Sequence, residues 1–158
     1  MINIDPPSSS LALDALSTLS KSGLAHFLKR AQALVALDGE VDVLLTSDAE
    51  VKRLNKAFRG KNKATDVLSF PAAEEAEGLA GDLAVSLDTA ARQAAEHGHA
   101  LRDEVRILLL HGLLHLAGED HETDSGEMAA RELDLRKALK LPVGLIERAL
   151  AKPARKTR

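Results

Sequence analysis

Cysteine is absent from the 158-residue chain, and so are tryptophan and tyrosine. Without cysteine no disulfide can form, and any bound metal must be held by His, Asp or Glu side chains. The three aromatic residues besides histidine are Phe27, Phe58 and Phe70. A surface on which nucleobases stack on a row of aromatic rings is therefore nearly excluded.

The chain also lacks the sequence features of an exported or membrane-spanning protein. Its first residues, Met1 to Asp5, contain no basic segment that leads into an apolar core. No run of about 18 apolar residues occurs along the chain. We therefore expect a soluble protein of the cytoplasm that has no membrane partner.

Hydrophobic residues make up 45% of the chain, which is enough to fill the core of one domain. Alternating apolar positions predict strands, and apolar positions three to four apart predict helices. Strands are predicted at residues 2–4, 40–46, 67–70 and 82–87, and helices at 11–37 in two pieces around Ser22 and Gly23, 47–58, 89–96, 101–117, 124–140 and 142–151.

This order of elements predicts an α+β fold in which a small mixed β-sheet packs against several helices. We expect a single domain over residues 1–151. The basic segment 152–158 is predicted to be a disordered tail.

Three histidines carry the metal prediction. His111 and His115 lie four residues apart on the most apolar predicted helix, so both imidazoles project from one face, one turn apart. Gly118 ends that helix, and a left-handed conformation there lets the chain turn back and bring His121 to the same point. A single buried histidine is usually structural, but three unpaired imidazoles beside a leucine-rich helix are costly without a shared partner. We predict one Zn²⁺ ion at a zincin-like site with a fourth position for water.

Gly112 distinguishes this site from that of the long metalloprotease motif. The histidine spacing is the same, but those enzymes carry a glutamate after the first histidine, and that glutamate is the general base of peptide hydrolysis. Its absence argues against a protease. Glu119 and Asp120 lie nearby. They either orient a ligand or assist proton transfer, or they are solvated loop acids.

A basic segment is the second informative stretch. Residues 52–63 contain six basic residues and no acidic one, although the net charge of the whole chain is −3. Arg59 lies where a helix ends, and a guanidinium there can hold a phosphate through two parallel hydrogen bonds. Lys61 and Lys63 would attract a polyanion and are predicted substrate-binding residues. From charge alone, a solvated helix face and loop is an equally good interpretation.

Three sequence blocks together resemble the YbeY family of bacterial endoribonucleases that mature ribosomal RNA. The resemblance covers about residues 40–127. The blocks, in matching order and spacing, are Arg59-Gly60 through Thr65-Asp66-Val67-Leu68-Ser69-Phe70-Pro71, then Gly81-Asp82, then His111-Gly112-Leu113-Leu114-His115-Leu116-Ala117-Gly118-Glu119-Asp120-His121.

The resemblance implies a zinc-dependent endoribonuclease that is selective for single strands. The family's three zinc-binding histidines fall on His111, His115 and His121, and its essential arginine falls on Arg59. Arg59 and His111 are the predicted catalytic residues. The implied role is maturation of the 16S rRNA 3′ end and ribosome quality control, with ribosomal RNA and the ribosome as partners. Glu119 stands where the family typically has an aromatic residue.

Two other functions are considered beside this one. A zinc peptidase or amidase would explain the histidines but neither Gly112 nor the basic loop. A non-catalytic, ribosome-associated factor with a structural metal would need four protein ligands and no open position.

Overall fold

Strands and helices follow one another along residues 1–151, which are the residues that a computed structural model describes. The elements are β1 (Ile2–Ile4), α1 (Ser10–Ala15), a 3₁₀ turn (Leu16–Thr18), α2 (Lys21–Val35), β2 (Glu40–Thr46), α3 (Asp48–Arg59), β3 (Val67–Pro71), β4 (Leu79–Ser86), α4 (Leu87–His97), α5 (Leu101–Leu116), α6 (Glu127–Ala138) and α7 (Leu145–Ala151). The tail predicted for 152–158 lies outside the described residues.

The four strands form one mixed sheet in the order β1-β2-β4-β3. β1, β2 and β4 run parallel, with Val43 of β2 opposite Leu83 of β4. β3 is antiparallel to β4 at the other edge and places Ser69 opposite Leu83. The small mixed sheet predicted from the sequence is therefore confirmed.

Helix α5 runs through the centre of the core. Its apolar residues occur on nearly every side of the helix, and Leu108, Leu109 and Leu113 are completely buried. α5 contacts β3 and β4 as well as α2, α4 and α6. A helix that is apolar all round can only be stable when it is covered in this way. The two histidines near its end are consequently carried by a helix that is packed on nearly every side.

Local side-chain caps decide where several helices begin. Ser47 Oγ accepts a hydrogen bond of 3.2 Å from the Glu50 amide and starts α3. Ser86 Oγ accepts from the Thr89 amide at 3.1 Å, so β4 ends one residue earlier, and α4 begins two residues earlier, than the sequence predicted. The two helical pieces predicted within residues 11–37 are present, but the break lies at Leu19 and Ser20. It is not at Ser22 and Gly23, because Ser20 Oγ accepts from the Gly23 amide at 3.0 Å and starts α2.

None of the helices in residues 1–151 has the length and hydropathy of a transmembrane span.

Candidate active site

The end of α5 brings two imidazoles face to edge. His111 and His115 are one helical turn apart, and their ring centroids are separated by 4.8 Å. The two Nε2 atoms lie 3.2 Å from each other. His111 is buried, whereas His115 is only partly covered. The i, i+4 spacing thus points both rings at one location, as helix geometry requires.

His121 reaches the same location because the chain reverses after α5. Gly118 adopts φ = +95°, a conformation that costs little for glycine, and its amide bonds the His115 carbonyl at 2.9 Å. The His121 ring centroid then lies 5.3 Å from that of His111 and 5.7 Å from that of His115. One nitrogen from each of the three rings lies within 4.8 Å of the other two.

This cluster can hold a metal ion. Tetrahedral coordination with Zn–N bonds of about 2.0–2.1 Å places ligand nitrogens about 3.3 Å apart, close to the Nε2–Nε2 distance observed for His111 and His115. Burial, followed by the neighbouring His111 and His121, lowers the pKa of His115. A lowered pKa favours the neutral imidazole, which is the form that binds metals. Within residues 1–151 the cluster contains these three ligand groups and no fourth.

Glu132 orients the first histidine, and the sequence analysis missed it. The Glu132 carboxylate on α6 is buried, with 1% of its surface exposed. Its Oε2 lies 2.8 Å from Nδ1 of His111, and its Oε1 accepts a hydrogen bond of 2.7 Å from the Ile146 amide. A carboxylate on Nδ1 fixes the tautomer that leaves Nε2 free for a metal, and it makes the imidazole more basic.

The sequence contains one signal that could have identified this residue. The buried face of α6 and the residue after it follows the helical repeat Met128, Glu132, Leu135 and Leu139. A glutamate in an otherwise apolar stripe of a helix must find a buried donor, because an unpaired buried charge is very costly. The identity of that donor depends on how α6 packs on α5, which no local pattern predicts.

Replacing Glu132 by glutamine is expected to weaken zinc affinity about 10- to 100-fold. The amide offers one acceptor oxygen, so it cannot accept from both the His111 ring and the Ile146 amide. Competition titration with a chromophoric chelator measures the effect. Asp134→Asn, which changes an exposed carboxylate on the same helix, serves as the control and should leave the affinity unchanged. Equal affinities of the two variants would contradict the orienting role.

Neither acid named from the sequence contacts a ligand histidine through its carboxylate. The Glu119 carboxylate pairs with Arg131, and Asp120 Oδ1 accepts from the Glu122 amide at 3.0 Å within its own turn. The charge of Glu119 is thus compensated by Arg131. The role of ligand orientation belongs to Glu132.

The packing around position 112 favours a residue without a side chain. A Cβ atom added there would lie 2.7 Å from Cδ2 of Leu83 and 3.3 Å from Oγ of Ser69. Leu83 is fully buried, so it has little room to move. A side chain at position 112, such as the glutamate that metalloproteases carry there, would therefore require Leu83 to shift within the core.

The predicted basic residues lie in the same cleft as the histidines. A cleft of about 720 Å³ is lined by Arg59, Lys61 and Lys63 and by His111, His115 and His121. Within residues 1–151 none of the three cations takes part in an ion pair with an acidic side chain, and all three are exposed. They are therefore available to an anionic substrate.

Two backbone contacts shape the basic loop. Gly60 ends α3 with φ = +70°, and the Lys61 amide donates to the Asn55 carbonyl at 3.2 Å. The side chain of Asn55 donates in turn to the Lys63 carbonyl at 2.9 Å. The loop is thus tied to the buried side of α3 while its cationic side chains remain in the cleft.

Three imidazoles that converge in a cleft with unpaired cations are typical of a metal-dependent hydrolase that acts on a polyanion. Comparison with known proteins makes this class specific. The family model described as "Endoribonuclease YbeY" matches residues 4–140. The chain belongs to the YbeY family.

Individual relatives support the same assignment. A Koribacter versatilis protein named "Endoribonuclease YbeY" is 55% identical over 141 residues, which are 89% of this chain and 91% of the relative. A Solibacter usitatus protein of the same name is 52% identical over 134 residues, 85% and 89% of the two chains. The solution structure of a Thermotoga maritima protein matches the fold over 100% of both chains with a TM-score of 0.55 and 28% identity.

Proposed function

We propose that this endoribonuclease cleaves single-stranded RNA with one Zn²⁺ ion held by His111, His115 and His121. Its role is the maturation of ribosomal RNA, notably the 16S 3′ end, and ribosome quality control in the cytoplasm, with the ribosome as partner. Residues 1–151 form the single domain that carries the activity. The observation that supports the proposal is the convergence of three imidazole nitrogens within 4.8 Å in a cleft that unpaired cations line.

Zinc is the proposed ion. Imidazole ligands suit zinc, copper, nickel and iron alike, and zinc is the commonest occupant of such sites. Held by the three histidines, zinc would supply a Lewis acid and a bound water whose pKa is about 7, and neither would require a glutamate at position 112. His111 contributes to catalysis as the ligand that Glu132 holds in the required tautomer.

Arg59 acts on the phosphate. It is the last residue of α3, its guanidinium is unpaired among the described residues, and it lines the cleft with the histidines. Two parallel N–H donors match two non-bridging oxygens of a phosphate. Arg59 thereby orients the scissile phosphate and stabilises the negative charge that builds on it during cleavage.

Lys61 and Lys63 attract the strand and hold its neighbouring phosphates. Neutralising both, as Lys61→Gln with Lys63→Gln, should make the plot of log affinity against log salt concentration shallower by about 1.4, since each phosphate contact with a single strand contributes about 0.7. Fluorescence anisotropy of the metal-loaded protein with a 5′-labelled, single-stranded 2′-O-methyl RNA measures the slope, and a gel run after each titration verifies that the strand is intact. Lys137→Gln on α6 is the control, and an unchanged slope in the double variant would refute the assignment.

The structure favours the nuclease over the two other functions considered. For a peptidase, this chain lacks the glutamate that acts as general base, and a side chain at position 112 would force Leu83 to shift. A structural metal would require a fourth protein ligand, and the cluster within residues 1–151 offers three.

A cleavage assay tests the proposed function. The purified protein is incubated with a single-stranded RNA, a duplex of the same sequence and a casein-derived peptide. We expect cleavage of the single strand, loss of cleavage with a chelator and recovery after addition of zinc. Peptide cleavage without RNA cleavage would refute the proposal, as would RNA cleavage that survives complete metal removal.

A further inference from the structure

The cleft has a second wall whose chemistry differs from that of the basic loop. Helix α7 lines the cleft through Leu145, Ile146, Ala149 and Leu150, which we name the α7 wall. The cationic residues across the cleft suit phosphates, whereas the α7 wall offers hydrocarbon only. A ligand that fills both sides must carry anionic groups on one side and apolar surfaces on the other.

Buried and bidentate contacts hold α7 firmly in place. Glu104 is completely buried on α5 and accepts two hydrogen bonds, of 2.8 and 2.9 Å, from the Arg148 guanidinium. Glu147 is bound by Arg136 of α6 at 3.0 and 3.2 Å. A seven-residue helix is unstable by itself in water, so these anchors determine its position. The α7 wall is therefore a preorganised surface.

Glu132 connects this wall to the metal site. One carboxylate oxygen accepts from the Ile146 amide at the start of α7, and the other faces His111. Glu132 therefore fixes the position of α7 relative to His111. A ligand that contacts the α7 wall consequently lies at a defined position relative to the histidines.

Leu150 is the residue of the α7 wall that is most open to a ligand. It is 75% exposed, whereas Ile146 is 6% exposed and belongs to the core. No tyrosine or tryptophan exists in the chain. Phe58 and Phe70 pack against each other at 5.7 Å and line a separate groove on the sheet, and Phe27 lies in the core. An aliphatic side chain is thus the available surface for a planar apolar group in this cleft.

We propose that Leu150 contacts a nucleobase of the RNA strand whose phosphates bind Arg59, Lys61 and Lys63. This inference rests on the proposed function, because it assumes that the cleft takes RNA. A single strand can turn its phosphates to one wall and a base to the other. In a duplex the bases are paired and stacked, so their faces cannot reach Leu150. The α7 wall then contributes selectivity for single strands, while the cations contribute affinity.

Equilibrium binding tests this proposal without relying on activity. Zinc-loaded wild type, Leu150→Ser and Leu150→Met are titrated by anisotropy with a 12-nucleotide 2′-O-methyl oligo(A) and with an abasic strand of equal length. We expect Leu150→Ser to weaken oligo(A) binding about three- to ten-fold, around the lower end of the range measured for stacking of a base on an aromatic side chain, because leucine is aliphatic. Abasic binding and zinc content should stay unchanged, and Leu150→Met should bind oligo(A) like the wild type.

The control and the contrary outcomes separate this proposal from the one on which it rests. Leu13→Ser, which removes another exposed leucine on α1 away from the cleft, should leave oligo(A) binding unchanged. The proposed role of Leu150 is overturned if Leu150→Ser binds oligo(A) like the wild type, or if it loses affinity equally for the abasic strand. Either result leaves the proposed function unaffected. A wild-type protein that binds neither strand overturns the proposed function as well.

Discussion

Replacing His115 by alanine is expected to lower zinc affinity by more than about 100-fold and to reduce RNA cleavage to the level of the metal-free protein. Removal of one of three ligands costs more than the loss of an orienting group, which already costs about 10- to 100-fold. His115 is only partly buried, so the fold should survive the substitution. Zinc content after dialysis, measured by atomic absorption, and cleavage of single-stranded RNA provide the two readouts.

His26→Ala is the matched control for this variant. His26 is an exposed histidine of α2 and does not line the cleft. The His26→Ala variant should retain one zinc per chain and cleave RNA at the wild-type rate. Full activity in His115→Ala without bound metal would show that the histidine cluster is not the catalytic centre.

Replacing Arg59 by alanine is expected to reduce turnover about 100- to 1,000-fold, because it removes a donor aimed at the charge that forms on the phosphate. Zinc content should not change, since Arg59 is not among the cluster's ligands. Lysine at this position should restore only part of the rate, because one ammonium cannot make the two parallel bonds of a guanidinium. Single-turnover kinetics at saturating protein separates this effect from weaker binding.

Arg53→Ala tests whether any arginine of α3 would have the same effect. Arg53 lies on the same helix but binds Glu50 at 2.7 and 2.8 Å and does not line the cleft. It should cleave at the wild-type rate. Wild-type turnover in Arg59→Ala would show that the scissile phosphate is stabilised elsewhere.

Local chain geometry explains why so much of the site could be predicted from the sequence. His111 and His115 are related by one helical turn, and Gly118 permits the reversal that brings His121 back, so three groups converge within eleven residues. Gly60 likewise marks the end of α3 next to Arg59. In each case the determining residues lie within a few positions of the functional group.

The parts that were missed depend on packing between distant segments. Glu132 meets His111 across 21 positions, and Arg148 meets Glu104 across 44. Periodicity shows which face of α6 or α7 is buried, but not which partner covers it. For the same reason the sequence predicted a short final helix but did not indicate that this helix forms one wall of the cleft.

The sheet was also predicted only in part: its strands were predicted from the sequence, but their order was not. Alternation of apolar residues predicts four strands, and all four are present. Their order, with β4 between β2 and β3, depends on how the segment from β3 to β4 folds back. That order places β3 beside α5, where Ser69 Oγ donates to the Gly112 carbonyl at 3.3 Å, and it explains why residue 112 is a glycine.

X-ray absorption at the zinc edge of the metal-loaded protein, with zinc per chain counted on the same sample, shows directly whether these three histidines hold a catalytic metal. We expect one ion per chain, three imidazole nitrogens at about 2.0–2.1 Å and at least one further oxygen from water. The imidazole signal should decrease in His115→Ala. A shell of four protein ligands without water, or a chain that retains no metal at neutral pH, would contradict a catalytic metal held by these three histidines.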